Sequence, residues 1–173
     1  MIVTLLKVPT LDDWQEVKRR ALVTAGYTKT KTPPALVWMS KMLEARHSPI
    51  RYLTISFFIE GLPYWLSNEL CRHHVGIEKF VKSQRNDRQK DYDRETAPQN
   101  APVNVIVDFN AESFMTFCNK RLCGKAAPQM RKLAADMANL LLIQCPEFEG
   151  LLVPMCCYNG GKCHELEPCG MRK

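Results

Sequence analysis

Hydrophobic residues along the chain follow two kinds of spacing, one typical of strands and the other of helices. Between residues 51 and 60 every second side chain is large and apolar, which is the alternation of a half-buried strand. The side chains predicted to face inward are Leu53, Ile55, Phe57 and Ile59. The apolar run from Val103 to Phe109 predicts a second strand.

Helical spacing predicts the other regular elements. Asp12 or Asp13 is expected to cap a first helix that ends near Thr24. A second helix is expected to follow Thr32 as its N-cap, with two prolines in its first turn. Further helices are predicted from Pro63 onward, over 113–118 and over 128–145.

Residues 82–102 form the longest polar stretch and are expected to be loop or exposed helix. Helices, few strands and one long polar loop predict an α+β fold. With 173 residues, of which 46% are hydrophobic, the chain can build one sizeable core. A single domain over residues 1–173 is therefore predicted, with a cysteine-rich tail over 156–173.

The net charge and the search for targeting segments predict where the protein is located and which kinds of partner it binds. No apolar stretch is long enough to cross a membrane, and the first residues lack the pattern of a secretory signal. We therefore expect a cytoplasmic protein with no membrane partner. The net charge of +6 predicts anionic partners, which could be nucleotide phosphates or nucleic acid.

Residues that could carry chemistry gather in four separated segments. In chain order these are His47-Ser48-Pro49; Arg72-His73-His74 followed after eight residues by Ser83-Gln84-Arg85; Arg94-x-x-x-Pro98-x-Asn100; and Asn110-Ala111-x-Ser113 continuing to Asn119-x-Arg121. Together they resemble the signature of the flavin-dependent thymidylate synthases. The family's own segments read His-x-x-Pro, Arg-His-Arg with seven residues before Ser-x-Arg, Leu-Pro-x-Asn, and an Asn-Ala-Arg block.

The resemblance implies a fold, an assembly and an activity. The fold would have a small central antiparallel sheet flanked by helices, and the assembly would be a homotetramer with active sites shared between subunits. The activity would be C5 methylation of a pyrimidine nucleotide, dUMP to dTMP. The expected cofactors and co-substrate are FAD, NADPH and 5,10-methylenetetrahydrofolate, with flavin accepting the one-carbon unit and supplying reducing equivalents.

The resemblance also assigns roles to residues. Guanidinium groups bind phosphate bidentately, so Arg85 and Arg94 are expected to hold the nucleotide phosphate. Arg121 would hold the pyrimidine carbonyl edge and stabilise charge that develops as C5 attacks. The expected catalytic residues are Arg121 and Ser83; the substrate-binding residues are Glu69, Ser83, Gln84, Arg85, Arg94 and Arg121; the cofactor-binding residues are His47, Arg72, His73, His74 and Asn110.

Three positions depart from the family pattern. His74 replaces the third basic residue of Arg-His-Arg, Glu69 stands where the family commonly has Gln, and Glu112 stands where it has an Arg that helps to hold flavin phosphate. These changes leave open another substrate, UMP or a cytidylate whose amine could donate to Glu69, and a hydroxymethyl product. A non-enzymatic alternative is a degenerate paralogue that binds nucleotide or single-stranded nucleic acid, whereas the enzyme itself is not expected to bind nucleic acid.

Four of the eight cysteines fall in the tail over residues 156–173. In a cytoplasmic chain they are expected to be thiols or metal ligands instead of disulfides. Four thiolates fit tetrahedral zinc, and the resemblance extends to a cysteine-rich ending found in a subset of the family. The predicted ligands are Cys123, Cys157, Cys163 and Cys169, with Cys156 and His164 as competitors and ordinary reduced cysteines as the alternative.

Overall fold

A four-stranded antiparallel sheet forms the centre of the fold. The computed structural model describes residues 1–29, 32–85, 87–89 and 92–170. The strands are β1 (Ile2–Lys7), β2 (Thr54–Pro63), β3 (Ile77–Val81) and β4 (Pro102–Asn110). They pair antiparallel in the order β1-β2-β4-β3, so β2 and β4 lie inside the sheet and β1 and β3 at its edges.

Helices flank this sheet in the part of the chain that the structure describes. They are α1 (Leu11–Thr24), α2 (Leu36–Glu44), α3 (Tyr64–Cys71), α4 (Ala111–Arg121), α5 (Pro128–Gln144) and α6 (Met155–Tyr158), with 3₁₀ turns at Ser48–Tyr52 and Pro146–Phe148. The predicted α+β fold with a small central antiparallel sheet is thereby confirmed. None of the described helices is long and apolar enough to span a bilayer.

The core lies between one face of the sheet and the helices. In the strand predicted over residues 51–60, which corresponds to β2, all four side chains expected to face inward are fully buried. Phe109 of β4 and Phe114 of α4 extend this core, with ring centroids 5.3 Å apart in an edge-to-face arrangement. Because burial of one such ring stabilises the fold by roughly 1.5 to 3 kcal/mol, this packing fixes α4 against the sheet.

The start of α1 differs from the prediction by two to three residues. Thr10, not Asp12 or Asp13, is the N-cap: its hydroxyl accepts a hydrogen bond from the Asp13 amide, and the Asp13 carboxylate accepts one from the Thr10 amide at 2.9 Å. This reciprocal capping box satisfies two amides that otherwise lack partners, which explains why the helix begins earlier. The predicted end at Thr24 agrees with the structure.

The prediction of Thr32 as the N-cap of α2 was wrong. The helix begins at Leu36 after Ala35, and the Thr32 hydroxyl accepts a hydrogen bond from Lys18 Nζ at 3.0 Å instead. Each of the two prolines that follow Thr32 disfavours helical backbone in the residue before it. The helix therefore starts C-terminal to both prolines.

Two edge strands, β1 and β3, were not predicted. Both are short, and most of their side chains are exposed or half-buried, so the hydrophobic alternation that marks β2 is weak. The predicted strand over 51–60 also starts late, because residues 48–52 form a 3₁₀ turn. Residues 86, 90 and 91 of the polar stretch lie outside the described residues; the described part consists of loops and turns, apart from the first residue of β4.

A buried amide ties the segment after α5 to the rest of the fold. Asn119 is fully buried; its oxygen accepts a hydrogen bond from Arg46 Nη2 at 2.6 Å, and its nitrogen donates to the carbonyls of Leu151 and Val153 at 3.0 and 2.7 Å. Arg46 also donates to the Tyr158 hydroxyl at 3.2 Å. These bonds join α4 to the segment that leads into α6.

Asn119→Ala should destabilise the protein by about 2 to 4 kcal/mol, because Arg46 and two carbonyls would lose their buried partner. The matched control is Asn139→Ala on the exposed face of α5, where the change should stay within about 0.5 kcal/mol. Urea unfolding of both variants measures the difference. Similar losses from the two substitutions would contradict the proposed importance of this amide.

Candidate functional site

The segment after α3 is fastened to the first turn of α4. Asn110 ends β4 and caps α4, its side-chain oxygen accepting from the Ser113 amide at 2.9 Å. The Asn110 amide donates to the Gly76 carbonyl at 2.9 Å, and the Ser113 hydroxyl donates to the Val75 carbonyl at 2.6 Å. The Arg72–His74 segment is thereby held beside the start of α4.

His73 and Glu69 hold Arg121 from two directions. Arg121 Nε donates to His73 Nε2 at 2.8 Å, and Arg121 Nη1 lies 3.6 Å from Glu69 Oε2. The His73 ring packs edge-to-face on Phe117 with centroids 5.2 Å apart, and its carbonyl accepts from Lys79 Nζ. The guanidinium of Arg121 is therefore fixed in direction, as a group that stabilises developing charge must be.

Burial and the neighbouring positive charge of Arg121 lower the pKa of His73 to about 4. The ring is therefore neutral at pH 7. Since Nε2 accepts the hydrogen bond from Arg121, the proton of the neutral ring resides on Nδ1. His73 thus orients Arg121 without adding a competing charge.

Two cavities meet around this group. The tail cavity, of about 700 Å³, is lined by Arg121 and by residues of the C-terminal segment. The junction cavity, of about 590 Å³, is lined by His74, Asn110 and the first turn of α4. Arg72, His73 and Lys120 line both.

A second group of predicted residues lies around separate, smaller cavities. Arg85, Arg94 and Gln84 line one of about 220 Å³, while Ser83 and Gln84 line a neighbouring one of about 390 Å³. Arg85 also makes two hydrogen bonds of 2.9 Å to the Asp87 carboxylate. Because both side chains are mostly exposed, a phosphate could replace that carboxylate at small cost.

The predicted site residues therefore form two groups, one around Arg121 and one around Arg85, and one predicted residue lies outside both groups. His47 is exposed before the 3₁₀ turn, outside the linings of these cavities, and its flavin role stays a prediction. Sequence reasoning missed Arg51 and Lys120, which both line the junction cavity. Arg51 lies 61 residues from its ion-pair partner Glu112, so no local sequence pattern can predict their contact.

The cysteines fall into two environments. Burial raises the pKa of Cys118, and burial with the nearby Glu147 carboxylate raises that of Cys145 to about 12, so both thiols are inert. The tail cavity is lined by Cys123, Cys156, Cys157, Cys163 and Cys169. Even so, no three Cys, His, Asp or Glu side chains in the described ranges are arranged to hold a metal, and the zinc site stays a prediction.

Gly76→Ala should disrupt the junction, because an added Cβ would lie 2.1 Å from Asn110 Nδ2 and 2.3 Å from Ser113 Oγ. Gly61 has nearly the same positive φ, 66° against 68°, but its Cβ would meet only the Met1 backbone at 3.8 Å. Gly61→Ala should therefore cost about 1 kcal/mol, and Gly76→Ala about 1 to 3 kcal/mol more. Equal losses in urea unfolding would rule out the close approach.

His73 should make stability depend on pH in a defined window. Its folded pKa of about 4 lies below its unfolded value of 6.5, so its contribution is present above pH 6.5 and is lost as pH falls towards 4. Between pH 6.5 and 4.5 the wild-type unfolding free energy should fall by about 1 kcal/mol more than that of His73→Gln, allowing for partial solvent exposure of the ring. Urea unfolding at several pH values measures this; parallel curves would contradict it.

Of three comparisons with known proteins, two found similar proteins and one found none. Residues 87–147 match the family model of thymidylate synthase complementing protein. The fold matches Thymidylate Synthase X (ThyX) from Helicobacter pylori, solved with FAD and dUMP, with a TM-score of 0.70 at 18% identity, covering 88% of this chain and 99% of that one. A search of curated proteins found no match. Over residues 87–147 the sequence is thus similar to thymidylate synthase complementing protein, and the chain as a whole has the fold of ThyX.

Proposed function

We propose that this protein is a flavin- and folate-dependent C5 methyltransferase that converts dUMP to dTMP. The observation that carries the proposal is the fixed Arg121 guanidinium, which lines the tail cavity and is oriented by Glu69 and by neutral His73, a residue that lines the junction cavity as well. A relative of the same fold binds FAD and dUMP, and the residues that line these cavities here suit both ligands.

The walls of the junction cavity suit a flavin dinucleotide. Arg72, Lys120 and Arg51 bring positive charge for phosphates, while His73 and Asn110 offer polar contacts to a ring system. When bound, reduced flavin would supply the reducing equivalents and carry the one-carbon unit from methylenetetrahydrofolate, with NADPH as the source of electrons. The task of the chain itself is to bind and orient, and to hold His73 neutral.

The nucleotide is proposed to use both groups of residues. Arg85 and Arg94, with Ser83 and Gln84 beside them, would bind its phosphate. Arg121 would bind the carbonyl edge of the pyrimidine and stabilise the charge that develops there when C5 attacks.

Because the two groups line different cavities within one chain, we propose that a site combines residues of neighbouring subunits. A homotetramer with shared active sites would satisfy this requirement. Light scattering, which measures the molar mass in solution, tests this assembly: a homotetramer should have four times the mass of one chain.

Glu69 supports a second candidate substrate. Its Oε2 atom is buried and, among the described residues, accepts no hydrogen bond, although Arg121 lies 3.6 Å away. A buried carboxylate oxygen of this kind could accept a hydrogen bond from an exocyclic amine, which cytidylates have and uridylates lack. Cytidylate is therefore the alternative substrate, with a methyl or hydroxymethyl product.

The test is anaerobic incubation with FAD, NADPH and methylenetetrahydrofolate, with dUMP, UMP, dCMP or CMP supplied in turn. Mass spectrometry should show dUMP heavier by one methyl group. Arg121→Gln should lower turnover by at least about 100-fold, the loss typical for one oriented donor. Arg19→Gln, which removes an exposed arginine paired with Glu16, is the matched control and should leave turnover unchanged.

Each other outcome has a distinct meaning. Product from dCMP or CMP alone would replace dUMP by the second candidate. Absence of product from all four nucleotides, with flavin unbound, would refute the enzyme proposal and favour a protein that only binds nucleotide or nucleic acid. Equal turnover by Arg121→Gln and Arg19→Gln would refute the assigned role of Arg121.

A further inference from the structure

We propose that Glu112 is a built-in competitor of the diphosphate that Arg51 would bind in the junction cavity. The proposed function already uses Arg51 as a source of positive charge for phosphates; the new element is the competition of Glu112 for the same guanidinium. The inference deepens the proposed function, since a flavin dinucleotide carries a diphosphate. It would also hold for another ligand with the same group.

The charges lining the cavity point to an anion. Arg51, Arg72 and Lys120 contribute positive charge, whereas Glu112 is the one carboxylate among the lining residues that the structure describes. Three cations facing a single acid leave a surplus of positive charge in the cavity. A diphosphate, with several acceptor oxygens and at least two negative charges, matches that surplus.

The position of Glu112 makes it a mimic of such an anion. It lies in the first turn of α4, where amides and the helix dipole favour negative charge. Its Oε2 atom accepts a hydrogen bond from Arg51 Nε at 2.5 Å. The carboxylate thus occupies the guanidinium that a phosphate oxygen would otherwise bind.

Exposure of the pair makes exchange feasible. The Arg51 side chain is 60% exposed and that of Glu112 is 26% exposed. An ion pair so accessible to water contributes little stability, so a ligand with greater charge can displace Glu112 from Arg51. Binding then has to overcome the pair, and removal of the carboxylate should strengthen binding.

The experiment is isothermal titration of wild type and Glu112→Gln with inorganic pyrophosphate, FAD and riboflavin. Gln keeps the shape and an acceptor oxygen but removes the charge. Affinity for pyrophosphate and FAD should rise about tenfold in the variant, while affinity for riboflavin, which has no phosphate, should not change. Arg51→Gln should weaken pyrophosphate and FAD binding by a similar factor.

Asp136→Asn is the matched control for charge. It removes one carboxylate from the Lys132–Asp136 pair on α5, which has a similar distance of 2.6 Å but lies outside the cavity. The control should change none of the three affinities by more than about twofold. If Glu112→Gln does not fold, Glu112→Ala removes the same charge with a residue that favours helix.

The outcomes separate this inference from the proposed function. Pyrophosphate binding that strengthens in Glu112→Gln, without nucleotide product in the turnover assay, would keep the inference and refute the function. Turnover of dUMP with pyrophosphate and FAD affinities unchanged or weakened in Glu112→Gln would refute the inference and keep the function. Tighter pyrophosphate without tighter FAD would keep the diphosphate site but exclude flavin as its ligand.

Discussion

Asn110 is at once the last residue of β4 and the N-cap of α4, so the chain turns from strand to helix without a loop. The same side chain stands where Gly76 approaches too closely to carry a Cβ. Because Asn110 fixes where α4 begins, it also fixes where Arg121 ends that helix, about three turns away. The position of His73 relative to Arg121 follows from this one polar junction.

The guanidinium groups of the candidate site share an organisation. Arg121, Arg85 and Arg51 each have a carboxylate beside them, from Glu69, Asp87 and Glu112 respectively. In the last two pairs the arginine is mostly exposed to water and, as proposed, would exchange its carboxylate for a phosphate, whereas Arg121 is only 23% exposed and is held by His73 as well. The candidate site therefore combines two accessible arginines with one whose direction is fixed.

Local sequence patterns were sufficient to predict the helices and strands that bury one face in the core. Strand alternation predicted β2, an apolar run predicted β4, and helical spacing predicted α4 and α5 within a few residues. The edge strands lacked such a face, and Thr32 failed as a cap because of the prolines after it. In the site, Arg121 and His73 could be predicted from a motif, but the contact of Arg51 with Glu112 depends on tertiary structure that no local spacing encodes.

The order of strands in the sheet also has a consequence for biosynthesis. β1 precedes β2 in the chain and pairs with it, with Ile2 opposite Glu60, and β2 in turn pairs with β4, which ends at Asn110. The sheet can therefore close only after synthesis has passed Asn110. Closing such long loops is entropically costly, so β1 and β2 stay without β4 while the middle of the chain is made, and a chaperone can bind them in that interval.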